Sequence, residues 1–274
     1  MRRVEAVFGG LFMRAPTVVV TRPRGPAGGL EEFVGRLRQE GFGPVVFSPQ
    51  SVCFLSLLPD EEKRVVQALS GQAPCVACLS PTSVFAYEEL LRKLSSMRPA
   101  DEFHFASQGP GTSKAIEECF GCRPFFEAAL STAEGFASEF LNLAAHPSEV
   151  FVPQSSIGRD ALGPLLRAGG VHVCEVAAYS VITSRPDLDE QRDLSHAAAG
   201  NGFIVFMSPS AVRATIETCS DRQSLEKLGV VSIGPSTSEA IRESGLHVTV
   251  EAVEHSEEGV VRALHDCVTG DGAD

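Results

Sequence analysis

The sequence predicts an α/β fold of two duplicated, doubly wound parallel-sheet domains, and three observations carry that prediction. Short apolar runs such as CVACL and FIVFM read as strands buried on both faces, the mark of a parallel sheet. Helical stretches of about ten to fifteen residues separate such runs, which makes βαβ units. The first half of the chain also recurs in the second at an offset of about 127 residues, the sign of an internal duplication.

From the amino end, VVVTRP (Val18 to Pro23) is a strand leading to a helix that ends at Gly41, and VFVPQS (Val150 to Ser155) leads to one ending near Gly170. CVACL runs into Ser80-Pro81-Thr82-Ser83-Val84 as FIVFM runs into Ser208-Pro209-Ser210-Ala211-Val212, an offset of 128. After FHFAS, Gly109-Pro110-Gly111-Thr112-Ser113-Lys114-Ala115-Ile116 matches Gly234-Pro235-Ser236-Thr237-Ser238-Glu239-Ala240-Ile241 after VVSI, at an offset of 125. Ser131-Thr132-Ala133-Glu134-Gly135 and Ser256-Glu257-Glu258-Gly259 each read as the capped start of a last helix. VVFSPQSV and CEVAAYSV occupy equivalent places and read as extended segments where the chain crosses between domains. Domain one is therefore expected at 16–47 plus 183–269, domain two at 52–175, and linker strands at 48–51 and 176–182. The small, polar tail from Gly270 to Asp274 reads as disordered.

Composition narrows the functions. With 274 residues, 43% hydrophobic and 21% charged, the chain can bury two cores of ordinary size. A formal charge of −12 repels polyanions, which argues against nucleic-acid and anionic-membrane partners and leaves an anionic substrate dependent on a local pocket. No apolar run approaches the roughly 20 residues that span a bilayer. MRRVEAVFGGLFMRAP lacks a signal-peptide core and cleavage site, so a soluble cytoplasmic protein is expected; Arg2, Arg3 and Arg14 with the single acid Glu5 leave an organelle-transit segment as the alternative. Eight cysteines include the C-x-x-C pairs Cys75/Cys78 and Cys119/Cys122. Residues three apart on a strand point to opposite faces, so Cys75 and Cys78 read as buried hydrophobes rather than zinc ligands, and unpaired thiols fit a reducing compartment.

Ligands of open parallel sheets bind at the carboxyl ends of the strands, where helix starts offer free N–H groups. The turns there are Thr21 to Arg24, Ser80 to Ser83, Gly109 to Ser113, Gln154 to Arg159, Ser208 to Ser210 and Gly234 to Ser238, nearly all rich in hydroxyls and punctuated by glycine or proline. Such turns suit carboxylates or phosphates, and each hydroxyl can equally cap its own helix. GPGTSK matches neither a phosphate loop nor a dinucleotide fingerprint, the seven histidines form no H-x-x-x-H, and there is no GxSxG elbow. A nucleotide-dependent transferase, a metal hydrolase and a Ser-His-Asp enzyme are therefore unsupported. Of the two tyrosines, Tyr87 lies in the helical VFAYEELLRKL and reads as core or helix surface. Tyr179 lies in a crossing segment facing the expected interdomain cleft, where a phenol can donate a proton or simply pack.

The blocks FMSPSAV and VVSIGPSTSEAIRESGL, with VVFSPQSVCFLSLLP, LSPTSV and VCEVAAYSV before them, resemble the uroporphyrinogen-III synthase family, especially its animal form, from about Val18 to Leu264. The resemblance implies two α/β domains joined by a two-stranded linker, an open and flexible cleft, and no metal or organic cofactor. It places the family's cleft residues on Ser80, Thr112, Tyr179, Ser208, Ser236 and Thr237, with Tyr179 the catalytic candidate and the others substrate-binding. Relatives often have an arginine after the first SP motif, where this chain has Thr82, and threonine where it has Ser236. The implied reaction is that of a hydro-lyase of haem biosynthesis closing hydroxymethylbilane to uroporphyrinogen III with loss of water and inversion of ring D. Unassisted bilane closes without inversion, so specificity would come from positioning. A monomer is expected, since the cleft uses both lobes of one chain. The rival is a two-lobed, hinge-closing small-molecule binding protein, which shares the duplication and the two crossings.

Overall fold

A computed structural model describes residues 15–25, 30–70, 74–94, 104–130, 132–157 and 161–269. Arg2, Arg3, Glu5 and Arg14 of the possible transit segment, Ser131, Arg159 and the tail from Gly270 lie outside the described residues. In chain order the elements are β1 (Thr17–Thr21), α1 (Leu30–Gln39), β2 (Gly43–Phe47), β3 (Gln50–Phe54), α2 (Pro59–Leu69), β4 (Cys75–Cys78), α3 (Pro81–Lys93), β5 (His104–Ser107), α4 (Pro110–Phe120), β6 (Phe126–Glu127) and α5 (Ala133–Leu141). There follow β7 (Glu149–Ser155), α6 (Leu162–Ala168), β8 (His172–Thr183), α7 (Leu188–Ala199), β9 (Phe203–Phe206), α8 (Pro209–Thr218), α9 (Arg222–Lys227), β10 (Gly229–Ser232), α10 (Pro235–Glu243), β11 (Val250–Glu251) and α11 (Glu257–Thr269).

The chain divides into two units, one holding residues up to Thr21, Glu32–Phe47 and Arg185 onward, the other Arg22–Glu31 and Ser48–Ser184. The first unit's sheet is wholly parallel in the order β2-β1-β9-β10-β11. The second has the order β3-β8-β7-β4-β5-β6, parallel except for β3. The first sheet shows the doubly wound order 2-1-3-4-5. Read as repeats, β7, β8, β4, β5 and β6 stand where β1, β2, β9, β10 and β11 stand, so the second sheet has the same arrangement with its chain order permuted.

The segments anticipated as linkers are hydrogen-bonded into the second sheet. Over its last residues β8 pairs antiparallel with β3, from Gln50↔Thr183 to Phe54↔Tyr179, while its earlier residues pair parallel with β7. Each extended segment thereby satisfies backbone groups that a free-standing strand leaves to water. The boundaries accordingly fall at Phe47/Ser48 and Ser184/Arg185, with a further excursion of Arg22–Glu31 into the second unit. There Arg24 exchanges backbone bonds with Gln50 (2.7 Å) and Val52 (2.9 Å).

Local chemistry repeats as well. α1 places Phe33, Val34 and Leu37 on its buried face and ends on Gly41, whose φ of +87° is the left-handed conformation that favours glycine. The Phe42 N–H then reaches the Leu37 carbonyl (2.9 Å) and the Gly41 N–H that of Arg38 (3.2 Å), a Schellman ending. α6 stops in the same way at Gly170, with Val171 bonded to Leu166 and Gly170 to Arg167. In the second unit, Val76 and Cys78 join one core with Tyr87, Phe105 and Phe151, while Cys75 and Ala77 join another with Phe136, Phe140 and Val152. The alternation puts these cores on opposite faces of the sheet and separates the two cysteines as expected. Tyr87 is a core residue, ringed by Phe105, Phe120 and Phe151 at centroid distances of 6.0, 5.8 and 5.7 Å.

The starts of α5 and α11 use one device twice. Thr132 Oγ1 accepts the Gly135 N–H (3.0 Å) and Ser256 Oγ the Gly259 N–H (3.1 Å). Each glycine also admits the preceding loop: a Cβ on Gly135 would lie 2.5 Å from Leu130 Cβ, and one on Gly259 only 1.9 Å from the Glu254 carbonyl oxygen. Gly259→Ala should therefore destabilise the protein by about 1–3 kcal/mol, since backbone must shift to admit the methyl. Gly35→Ala, inside α1 with nothing within 4 Å of the new Cβ, should stabilise by about 0.5–1 kcal/mol. Thermal unfolding of both variants measures the contrast, and equal effects would contradict it.

Candidate functional site

Four turns at the carboxyl ends of β4, β5, β9 and β10 share one construction. Ser80, Gly109, Ser208 and Gly234 are the caps, all with extended backbone, and Pro81, Pro110, Pro209 and Pro235 open the helices. Proline at the first helical position brings its fixed φ and gives up only an N–H that the helix leaves unpaired. The repeats agree closely: φ and ψ are −160° and 160° at Ser80, −164° and 155° at Ser208.

Ser80 Oγ accepts the Ser83 N–H (3.2 Å), and Ser83 Oγ accepts the Ser80 N–H (3.1 Å). Ser208 Oγ accepts the Ala211 N–H (3.2 Å) and lies 3.1 Å from Ser210 Oγ. Both serines are thus helix caps. In the glycine turns the Gly109 carbonyl takes the N–H of Thr112 and Ser113 (both 3.0 Å), and the Gly234 carbonyl those of Thr237 (3.1 Å) and Ser238 (3.0 Å). Thr112 and Thr237 are buried, whereas Ser236 is exposed.

Tyr179 is held by backbone pairing on both sides. It stands opposite Phe54 of β3 and opposite Ser155 of β7, just past a register shift between Gln154 and Ser155, and its carbonyl accepts the Ser156 N–H at 2.8 Å. Irregularities of this kind re-aim side chains near functional sites. The half-buried phenol reaches Ser80, with Oη 3.3 Å from Oγ. Burial raises the Tyr179 pKa above the ordinary tyrosine value, and the hydrogen bond from Ser80 only partly opposes this. The phenol is therefore protonated at neutral pH.

Of the six residues singled out from sequence, Tyr179 and Ser80 meet directly. Thr112 lies on the adjacent turn, where a Cβ on Gly111 would come within 4.0 Å of Pro81 Cγ. Ser208, Ser236 and Thr237 occupy the corresponding edge of the first unit's sheet, after the adjacent strands β9 and β10. Sequence reasoning missed two features of these edges. One is the His255 ring against Gly234, where a Cβ would lie 2.9 Å from its Cδ2. The other is a chain of polar groups in which Ser107 Oγ lies 2.7 Å from Ser113 Oγ and the latter bonds the Glu127 carboxylate. The recurrence of serine at 107 and 232, and at 113 and 238, was the available signal.

A cavity of about 480 Å³ lies at the opposite, amino-terminal ends of β7 and β8, lined by Arg64, Arg167, His172, Cys174 and Glu175 among others. Arg167 pairs there with Glu175, and Arg64 approaches Glu61 at 4.0 Å, so internal carboxylates already engage its cations. Among the described residues no group of three or more His, Cys, Asp or Glu could hold a metal ion. Burial pushes the Cys75 thiol up to about 12 and the Cys78 thiol higher still, which disfavours the thiolates that a metal requires.

The family model described as Uroporphyrinogen-III synthase HemD matches residues 31–262. A crystal structure of uroporphyrinogen-III synthetase from Helicobacter pylori is similar at 16% identity with a TM-score of 0.57, over 93% of this chain and 100% of that one. A mutant uroporphyrinogen III synthase from Thermus thermophilus is similar at 16% identity with a TM-score of 0.52, over 93% and 100%. These likenesses show the α/β fold. No curated protein matches the chain.

The raised phenols give a measurable sign. Burial raises Tyr87 as well, so on raising the pH the unfolded chain ionises its tyrosines first, near pH 10. The stability linked to them is complete below that pH and is lost as pH rises through the folded-state values. Ultraviolet titration of phenolate should show the native protein ionising above pH 10 and the denatured protein near it. A native transition at or below 10 would contradict the assignment.

Proposed function

The chain belongs to the uroporphyrinogen-III synthase family, and from that premise we propose that it cyclises hydroxymethylbilane to uroporphyrinogen III, as a monomeric cytoplasmic hydro-lyase. The observation that carries the mechanism is a protonated phenol, Tyr179, at 3.3 Å from the helix-capping Ser80 on the carboxyl edge of a parallel sheet. The phenol hydrogen-bonds the terminal hydroxyl of the bilane and donates a proton as that group departs as water, leaving an azafulvene cation. The cation attacks the substituted carbon of ring D. The resulting spiro intermediate fragments and recloses with ring D inverted, and loss of a proton completes the macrocycle.

Positioning has to supply the rest, because inversion is a choice between two closures of one flexible substrate. Ser80, Thr112, Ser208, Ser236 and Thr237, with the backbone N–H groups of their turns, hold acetate and propionate carboxylates. The N–H at the second helical position has no acceptor within its helix, which leaves the Gly111 and Ser236 donors suited to this task. A net charge of −12 supports local rather than long-range capture of a polyanionic substrate and gives nucleic acid or an anionic membrane surface no attraction. Among the described residues no helix is long and apolar enough to cross a membrane.

Incubation with hydroxymethylbilane and separation of the product isomers tests the proposal. Isomer III is expected, while binding without turnover would favour a hinge-closing binding protein. Tyr179→Phe should cut activity about 10- to 100-fold, equivalent to about 1.4–2.7 kcal/mol of transition-state stabilisation, without loss of fold. Unchanged isomer-III formation would remove the proton-donor role, and loss of thermal stability would mark the tyrosine as structural. Thr237→Ala is expected to cost more activity than Thr112→Ala. Exhaustive chelation should leave turnover intact, whereas activity lost to a chelator and restored by zinc would bring Cys75, Cys78, Cys119 and Cys122 back as ligands.

A further inference from the structure

The two glycine-capped turns are built alike and finished differently. Ser107 and Ser232 end β5 and β10, Ser113 and Ser238 are the fourth residues of α4 and α10, and Glu127 and Glu251 end β6 and β11. Even the register matches, with Ser107 opposite Glu127 and Ser232 opposite Glu251. In the second unit the polar chain is complete: Ser107 Oγ lies 2.7 Å from Ser113 Oγ, and Ser113 Oγ donates to Glu127 Oε2. In the first unit it is broken. Ser232 Oγ turns to its own loop, donating to the Gly234 carbonyl (2.9 Å) and accepting the Gly234 N–H (3.2 Å). The hydroxyl of Ser238, a residue 0% exposed, has no hydrogen-bond partner among the described residues.

We propose that Glu127 is a specificity-determining residue: its carboxylate, bonded to Ser113 in the first turn of α4, makes that turn a weaker holder of substrate carboxylates than the α10 turn of Thr237. The inference rests on the carboxylate-binding role given to these turns above. A helix start offers a fractional positive charge and a few unpaired N–H groups, enough to favour one anion. With Glu127 in place, a second carboxylate at the same turn meets a like charge a few ångströms away, on a chain that is already strongly acidic. The α10 turn carries no such internal anion on its serine, since Glu251, placed in the same register, leaves Ser238 unbonded. A buried hydroxyl without a partner is costly to keep, and such groups mark places where function rather than stability has set the residue.

A double-mutant cycle on the full chain, read as separate KM and kcat values for hydroxymethylbilane, tests this. Glu127→Gln keeps an oxygen for Ser113 and removes only the charge; it should lower KM about threefold, whereas Glu127→Asp, which keeps the charge, should retain the parent value. Glu118→Gln, an exposed acid near the far end of α4, controls for net charge and should leave KM alone. With Glu127 present, Thr112→Ala should raise KM less than Thr237→Ala; in the Glu127→Gln background the cost of Thr112→Ala should grow. Ser113→Ala, which frees the Glu127 side chain from the turn, should shift KM in the same direction as Glu127→Gln and serves if that variant folds poorly. The proposal is overturned if Glu127→Gln behaves like Glu118→Gln, or if the two threonine variants cost the same with Glu127 intact. If neither threonine affects KM in any background, the carboxylate-binding role of the turns fails first, a result distinct from failure of Glu127 alone.

Discussion

Strand β8 is hydrogen-bonded along both edges where it carries Tyr179, to β7 on one side and to β3 on the other. Side chains alternate along a strand, so a slip of one residue would send the phenol to the other face of the sheet. Pairing from Gln50↔Thr183 to Phe54↔Tyr179 and the Leu55 bond to the Ala178 carbonyl (2.9 Å) exclude that slip from one side. On the other side the register shift at Gln154/Ser155 is absorbed where β7 ends. The 3.3 Å approach to Ser80 is a consequence of this clamp, because β4 and its capping serine stand on the far side of β7 in the same sheet.

Capping a helix does not exhaust the bonding capacity of a hydroxyl. Ser80 Oγ has two lone pairs and one proton, and the Ser83 N–H takes only one lone pair. What remains can face the phenol. The same economy holds at the glycine turns, where the cap has no side chain and the carbonyl of Gly109 or Gly234 holds the first turn together. Helix starts at such an edge present fixed dipoles, which need no reorganisation to face an anion and add no charge to bury.

Much of this was legible in the sequence because its signals are local. Gly41 and Gly170 announce their helix endings, SP and GP dipeptides announce helix starts, and the opposite facing of Cys75 and Cys78 follows from the pleat alone. The helical pattern alone leaves Tyr87 between core and surface, and contact with Phe105, Phe120 and Phe151 decides for the core. What stayed hidden depends on partners far apart in the chain. Residues 48–51 and 176–182 read as extended, but no periodicity reveals the ladder from Gln50↔Thr183 to Phe54↔Tyr179, which joins residues more than a hundred apart. The Ser113–Glu127 bond was equally silent: the duplication displays the two serines, yet it does not say that only one copy is bonded to its acid.

The discontinuity of the first unit has a consequence for how the molecule is made. Its sheet joins β1 to β9, with Val18 opposite Phe203, and Thr21 Oγ1 donates to the Val205 carbonyl at 2.7 Å. β1 and β2 therefore leave the ribosome first and wait while the whole segment Ser48–Ser184 is synthesised. At about 5–20 residues per second that wait is on the order of ten seconds, long beside the millisecond folding of a small domain. The inserted unit can complete its own sheet in that interval, whereas two apolar strands with an exposed edge remain without their central partner. The earliest translated part of the fold is thus the last to be satisfied, and the nascent chain is most open to mispairing and to chaperone capture at β1 and β2.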